Sequence, residues 1–99
     1  MNMHFDKTVE DQILMTINNL VNRSVWNDEV NYELVEKSLS SEITSNYNIS
    51  QYCNKLHMEG FINIRQKHNF FLVKLTDEGR RRINNIDISS LPFLFSLFV

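Results

Sequence analysis

The chain has 99 residues, of which 42% are hydrophobic and 22% are charged, so one globular domain is expected rather than a disordered chain. A single cysteine excludes an intramolecular disulfide, and the formal net charge of −2 argues against an indiscriminate nucleic-acid binder. No apolar run approaches the roughly 20 residues that span a bilayer, so no membrane contact is predicted. The single cysteine and the lack of a signal-peptide pattern make a reducing cytoplasm the expected location.

The first third of the chain predicts a long helix. Apolar residues recur at helical spacing from Val9 to Val21, which indicates a helix from about Lys7 to Asn22, capped by Asp6 or Thr8. The same spacing leaves four polar residues for the solvent-facing side: Glu10, Asp11, Asn18 and Asn19.

A polar connection and a second helix follow. Trp26 lies in the connection, where it either closes the core or lines a small ligand pocket, and Val30 is expected in a short strand. Asn31 is predicted to cap a helix that buries Tyr32, Val35 and Leu39 and ends near Ser40.

The stretch from Ser45 to Ile64 is the most informative part of the sequence. Ser45 is a plausible helix cap, Ile49, Cys53 and Leu56 follow at helical spacing, and Gly60 ends the pattern, which predicts a helix over residues 45–59. Alternating apolar residues then predict strands over 61–65 and 70–75, joined by a hairpin loop. Thr76 is expected to cap a last helix with Ile83 and Ile86 on its apolar side.

Two spaced signatures in this region resemble those of winged helix-turn-helix regulators. The first begins with Ser45 as the helix start, has apolar residues at Ile49, Cys53 and Leu56, and continues with Gly60-Phe61-Ile62. The second, Leu75-Thr76-Asp77-Glu78-Gly79-Arg80, is similar to the segment that follows the wing in MarR-like and PadR-like regulators. The resemblance covers roughly residues 9 to 86, although Glu42-Ile43-Thr44 stands where the usual turn has a small residue or glycine.

The resemblance implies an α+β, mainly α fold, a winged helix. In this fold a three-helix bundle carries a β-hairpin wing and is followed by a C-terminal helix and an apolar tail. Residues 1–88 would form the domain, and residues 89–99 the tail.

The resemblance also implies sequence-specific binding of double-stranded DNA by a small transcriptional regulator. The helix over 45–59 would enter the major groove, and the wing over 65–69 would meet the backbone or minor groove. The expected base-reading residues are Asn46, Tyr47, Ser50, Gln51 and Asn54, and the expected backbone contacts are Ser45, Lys55, Arg65, Lys67 and His68. Residues 45–99, which contain the predicted reading helix and wing, hold seven Lys or Arg against four Asp or Glu. This half of the chain therefore carries a net positive charge, which favours contact with DNA.

Each of these residues also has a plainer interpretation. The polar side of the reading helix and the charged hairpin tip can be ordinary solvent-facing surface, and the run Arg80-Arg81-Arg82 is more typical of a solvated helix face than of a DNA contact. A winged helix can also serve as a protein-interaction module that does not bind DNA, which is the alternative function.

No catalytic or cofactor chemistry is expected. Cys53 and His57 have a spacing that could bring both to one metal, but two ligands do not make a site, and Cys53 suits an inward position. The sequence has no nucleophile elbow or phosphate-binding glycine loop, so neither an enzyme nor a metal or cofactor is predicted.

The C-terminal tail predicts self-association. Its apolar residues expose more hydrophobic surface than a soluble monomer tolerates, so they are expected to pack on the chain's own first helix or on a second copy. A homodimer is favoured, because two reading helices would then meet two half-sites. The predicted interface residues are Leu91, Phe93, Leu94, Phe95, Leu97 and Phe98.

Overall fold

The computed structural model describes residues 5–24 and 28–86. Trp26, the tail over 89–99 and its six predicted interface residues lie outside these ranges. The described chain is α+β and mainly helical, with a three-stranded antiparallel sheet in the order β1-β3-β2. Its elements are α1 (Lys7–Arg23), β1 (Glu29–Asn31), α2 (Tyr32–Ser38), α3 (Ser41–Asn46), α4 (Ile49–Met58), β2 (Ile62–Lys67), β3 (Phe70–Leu75) and α5 (Asp77–Asn84).

Side-chain caps determine where the helices begin. In each of the five, a short polar side chain accepts a hydrogen bond from a backbone N–H of the first turn. The predicted caps Asp6, Asn31 and Thr76 are confirmed. Ser45 is not a cap; Ser40 caps α3 and Asn48 caps α4.

The predicted single helix over 45–59 is therefore wrong, because the chain bends between α3 and α4. Tyr47 has an extended backbone with φ −135° and ψ 144°, and its ring lies partly buried against the core. Asn48 then accepts a hydrogen bond from the Gln51 N–H at 3.2 Å and restarts the helix. The Asn-x-x-Gln spacing at 48–51 is itself a cap signal, and it competes with Ser45 in the sequence.

α1 is the central helix of the core. All nine residues from Val9 to Ile17 are buried, including Glu10 at 5% exposure and Asp11 at 8%. The prediction that these two carboxylates face solvent is wrong, because basic side chains from α4 and α5 pair with them. α5 packs on this core through the partly buried Ile83. The remaining buried core residues come from β1, α2, the residue after α2, α3, α4, β2 and β3, and they are Val30, Val35, Leu39, Ile43, Ile49, Tyr52, Cys53, Leu56, Ile62, Val73 and Leu75.

The sheet lies against the helices by one face. Ile62, Ile64 and Gln66 of β2 pair with Leu75, Val73 and Phe71 of β3, so these six residues share the inner face. Val30 of β1 pairs with Val73 on the same face, as predicted for a strand that joins the hairpin. The inner face is buried near Ile62 and becomes exposed toward the hairpin tip, where Phe71 is 48% exposed.

Gly60 and Gly79 explain how α4, the hairpin and α5 meet. Gly60 has φ 86°, and the N–H groups of Gly60 and Phe61 donate to the carbonyls of His57 and Leu56, which forms a Schellman motif that ends α4. A Cβ on Gly79 would lie 2.1 Å from the Phe61 carbonyl oxygen, so only glycine lets α5 approach that backbone. The Thr76 hydroxyl adds a third link by donating to the Gly60 carbonyl at 2.6 Å.

Candidate nucleic-acid interface

α4 presents one polar face and one buried face. Ile49, Cys53 and Leu56 point inward as predicted, together with Tyr52, which was not predicted in the core. Tyr52 contacts the segment just before α1. Its hydroxyl accepts the Asp6 N–H at 2.8 Å, and its ring packs edge-on against the Phe5 ring, with 4.9 Å between the ring centres. Tyr52 lies at helical spacing from Ile49 and Leu56, and this spacing could have indicated its inward position.

Three of the five predicted base-reading residues lie together on α4. Ser50, Gln51 and Asn54 are all exposed, and their spacing along α4 places them on one face of the helix. The amides of Gln51 and Asn54 have no hydrogen-bond partner among the described residues, so both groups can offer a donor and an acceptor to a ligand. Ser50 Oγ donates to Asn48 Oδ1 at 2.8 Å and can still accept a hydrogen bond.

The other two residues, with the predicted backbone contact Ser45, lie before α4 begins. Ser45 and Asn46 are at the end of α3, where their side chains donate to the carbonyls of Ser41 and Glu42. Tyr47 packs edge-on against Tyr52 at 5.8 Å and directs its hydroxyl toward Asp6 at 3.5 Å. The structure does not bring Tyr47 to the exposed face of α4, because the bend turns its ring to the core.

The hairpin tip carries two of the predicted backbone contacts. Lys67 ends β2, and His68 is the first residue of a two-residue turn, with φ 54°. Both are exposed, and Lys67 has no carboxylate partner within the described ranges. Gln66 and Asn69 stand beside them and are also exposed.

Arg65 lies on the outer face of the sheet. Its Nε and Nη2 donate to the Glu29 carboxylate at 2.6 and 2.9 Å, across β3. This bidentate hydrogen bonding lowers the pKa of Glu29 and raises the pKa of Arg65. A phosphate that binds Arg65 must therefore displace a carboxylate already in place.

Lys55 also forms ion pairs with carboxylates of the protein. Its Nζ lies 2.8 Å from Glu59 Oε1 and 3.0 Å from Glu10 Oε2, and it sits 5.3 Å from the centre of the Phe5 ring. The hydrogen bond to Glu59, followed by that to Glu10, raises the pKa of Lys55 above its usual value. Lys55 therefore stays charged, and the carboxylates of Glu59 and Glu10 largely neutralise its charge.

The three arginines of α5 do not form a common basic face. Arg80 and Arg81 pair with Asp77 and Glu78 one turn earlier. Arg82 is 15% exposed at its side chain and reaches inward, where it lies 3.1 Å from Glu10 and 2.8 Å from Asp11. Its guanidinium also stacks over Phe61 at 4.9 Å. The interpretation as a solvated face fails for Arg82, whose side chain is largely buried against the carboxylates of α1.

Electrostatics therefore restrict any nucleic-acid interface. Of the ten lysines and arginines, all within the described ranges, six lie within 4 Å of a carboxylate. On the side formed by α4 and the hairpin, Lys67 is the basic residue without such a partner among the residues described. The affinity from phosphate contacts alone would be small, because few basic side chains are available and counterion release scales with the number of phosphates contacted.

Cys53 and His57 have separate structural surroundings. Burial raises the pKa of the Cys53 thiol to about 12, so it stays protonated at neutral pH. His57 Nδ1 accepts the Ile64 N–H at 3.1 Å, which joins α4 to β2. Within residues 5–24 and 28–86, no three His, Cys, Asp or Glu side chains come together as metal ligands.

The geometry defines an α+β domain that exposes a polar helix face beside a β-hairpin. Comparison with protein-family models, with curated proteins and with solved structures found no match. None of the described helices is long and apolar enough to cross a membrane.

Proposed function

We propose that this chain is a winged-helix protein that binds double-stranded DNA sequence-specifically as a small transcriptional regulator. The observation that carries the proposal is the group of exposed amides on α4, Gln51 and Asn54, next to a hairpin that ends in Lys67 and His68. The element order supports it, because the order of helix, short strand, helices, hairpin and helix is that of a winged helix.

In this proposal α4 enters the major groove and the hairpin serves as the wing. Asn and Gln amides match the paired acceptor and donor of adenine, so Gln51 and Asn54 read base edges, assisted by Ser50. Lys67 and His68 contact phosphates or the minor groove. Asn46 and Ser45 are assigned to the DNA backbone in this proposal, since they lie on α3 before the bend.

The proposal includes a homodimer. A single α4 with three reading residues offers little discrimination, whereas two copies double the base contacts and read an inverted repeat. The tail residues 89–99 are the proposed interface. Light scattering on the intact chain and on a chain ending at Ile88 tests this point: the intact chain is expected to be a dimer and the shortened one a monomer. A monomeric intact chain would contradict the proposal.

The deciding experiment for function is selection from a random pool of DNA duplexes at low ionic strength. An enriched palindromic sequence is expected. Its affinity should exceed that of a shuffled duplex by about 10³-fold or more. Recovery of no preferred sequence would overturn the reading role of α4.

One observation favours a second function, that of a protein-interaction module. The polar face of α4 is bordered by two exposed apolar side chains, Met58 at 86% exposure and Phe71 at 48%. Exposed apolar residues beside neutralised cations suit a protein partner better than a phosphate backbone. Binding that is insensitive to salt, with no selected duplex, would favour this function over the first.

A further inference from the structure

A cavity of about 250 Å³ lies beneath the hairpin, at the point where its inner face leaves the core. It is lined by Tyr32, Ser50, Cys53, Asn54, Ile64 and Phe71, which come from α2, α4, β2 and β3. Cys53 is buried and forms the floor, while Ser50, Asn54 and Phe71 are exposed and form the rim. The site therefore opens on the same side as the reading face of α4.

We propose that this cavity binds a small neutral molecule with one aromatic ring and one amide or hydroxyl group. The volume sets the size: a dry protein cavity of about 150 Å³ holds benzene, so this one has room for a ring with a short polar substituent. Two aromatic side chains and Ile64 supply the apolar walls that such pockets use.

The polar group of the ligand is specified by Asn54. Its amide has no hydrogen-bond partner among the described residues and stands at the rim, where it can both donate and accept. Ser50 Oγ already donates to Asn48 at 2.8 Å, so toward the ligand it acts as an acceptor. A ligand amide satisfies both groups at once.

The lining excludes charged ligands. None of its six side chains carries a charge at neutral pH, because Cys53 and Tyr32 remain protonated; burial raises the pKa of each. The neighbouring carboxylate, Glu36, accepts the Tyr32 hydroxyl at 2.7 Å and repels an anion. A cation would lose its hydration while Glu36, the neighbouring carboxylate, is already engaged by the Tyr32 hydroxyl and lies outside the lining.

Ligand binding itself does not depend on the proposed function, but one consequence does. A ligand that engages Asn54 removes that amide from a base edge, so it lowers affinity for the selected duplex. If the chain binds DNA, the cavity is an effector site placed directly at the reading helix.

The test is titration of the full chain with benzamide, followed by NMR of the Ile64 methyl groups and the Cys53 and Asn54 amides. A saturable shift with half-saturation at about 1 mM is expected for a ligand of this size. Benzoate and benzylamine, which have the same ring but opposite charges, should bind at least about tenfold more weakly. The proposal is overturned if benzoate or benzylamine binds as tightly as benzamide, or if benzamide gives no saturable shift.

Matched variants locate the site. Phe71→Ala should weaken benzamide roughly 3–10-fold, whereas Phe70→Ala, the neighbouring residue on the outer face, should not. Asn54→Ala should weaken benzamide and leave toluene, which has no amide, unchanged. Equal losses in the two phenylalanine variants, or parallel losses of both ligands in Asn54→Ala, would place binding elsewhere. These measurements need no DNA. A failure of the ligand proposal is therefore distinguishable from a failure of the proposed DNA-binding function.

Discussion

At the residue scale, the glycine of the Leu75–Arg80 signature has a structural reason. Gly79 lies in the first turn of α5, directly over the Phe61 carbonyl, and Thr76 caps the same turn by accepting the Gly79 N–H at 3.0 Å. The two residues together fix α5 to the end of α4 and to the start of the hairpin. The signature therefore concerns how α5 attaches, and it carries no DNA-contact information by itself.

Gly79→Ala is expected to lower the free energy of unfolding by about 1–3 kcal/mol, because the added methyl group would overlap the Phe61 carbonyl. Urea denaturation followed by circular dichroism measures the change. Gly60→Ala is the matched control: its Cβ meets nothing within 4 Å, so its cost should come only from φ 86° and be about 1 kcal/mol. A smaller cost at Gly79 than at Gly60 would contradict the close approach.

At the element scale, sequence periodicity predicted where helices and strands occur better than where they end. α1, α2, β3 and the Gly60 terminus follow from apolar spacing and cap residues that act locally. The division between α3 and α4 was missed, because Ser45 and Asn48 are both suitable caps by residue type; in the structure Asn48 caps α4 and the partly buried Tyr47 lies at the bend. Three of the five predicted reading residues were therefore placed correctly on the helix, and two lie before it.

Gln51→Ala is expected to weaken binding to the selected duplex by about 1–3 kcal/mol and to relax preference at one base pair. The loss follows from the unpaired amide at the exposed face of α4. Asn46→Ala is the matched control, because its amide is engaged with the Glu42 carbonyl at 2.7 Å on α3. Measurement of both variants on a panel of single-base operator mutants checks the difference. An equal effect of the two would remove the special role of α4.

Lys67→Ala is expected to lower the slope of log affinity against log salt concentration by about one, since one phosphate contact is lost. Arg65→Ala should leave the slope nearly unchanged, because Arg65 is held by Glu29 on the outer face of the sheet. Binding titrations at several salt concentrations compare the two. A larger change in Arg65→Ala would mean that the outer face, and not the tip, meets the DNA.

At the scale of the whole molecule, a buried ionic cluster joins three helices. The Glu10 carboxylate on α1 lies 3.0 Å from Lys55 of α4 and 3.1 Å from Arg82 of α5, and Asp11 also contacts Arg82. The sequence could not show this cluster, since Asp11 and Arg82 are 71 residues apart and amphipathic spacing assigns both carboxylates to solvent. Buried charges require partners, and tertiary packing alone supplies them here.

Glu10→Gln is expected to have opposite effects on stability and on DNA affinity. It removes the charge that Lys55 and Arg82 share, so the free energy of unfolding should fall by about 1–3 kcal/mol. The Lys55 ammonium then loses one of its two carboxylates, and affinity for DNA should rise because less negative charge opposes the phosphates. Urea denaturation and duplex titration at low salt measure the two effects on the same variant.

Glu59→Gln separates these two effects. Glu59 is 43% exposed at its side chain and pairs with Lys55 without contacting Arg82, so its loss should raise DNA affinity while stability changes by less than about 1 kcal/mol. If both variants bind DNA as the unmodified chain does, Lys55 is not near the phosphates, and α4 meets the DNA through Ser50, Gln51 and Asn54 without it. If Glu10→Gln leaves stability unchanged, the cluster does not hold α5 to α1, and Gly79 with Thr76 is sufficient to attach it.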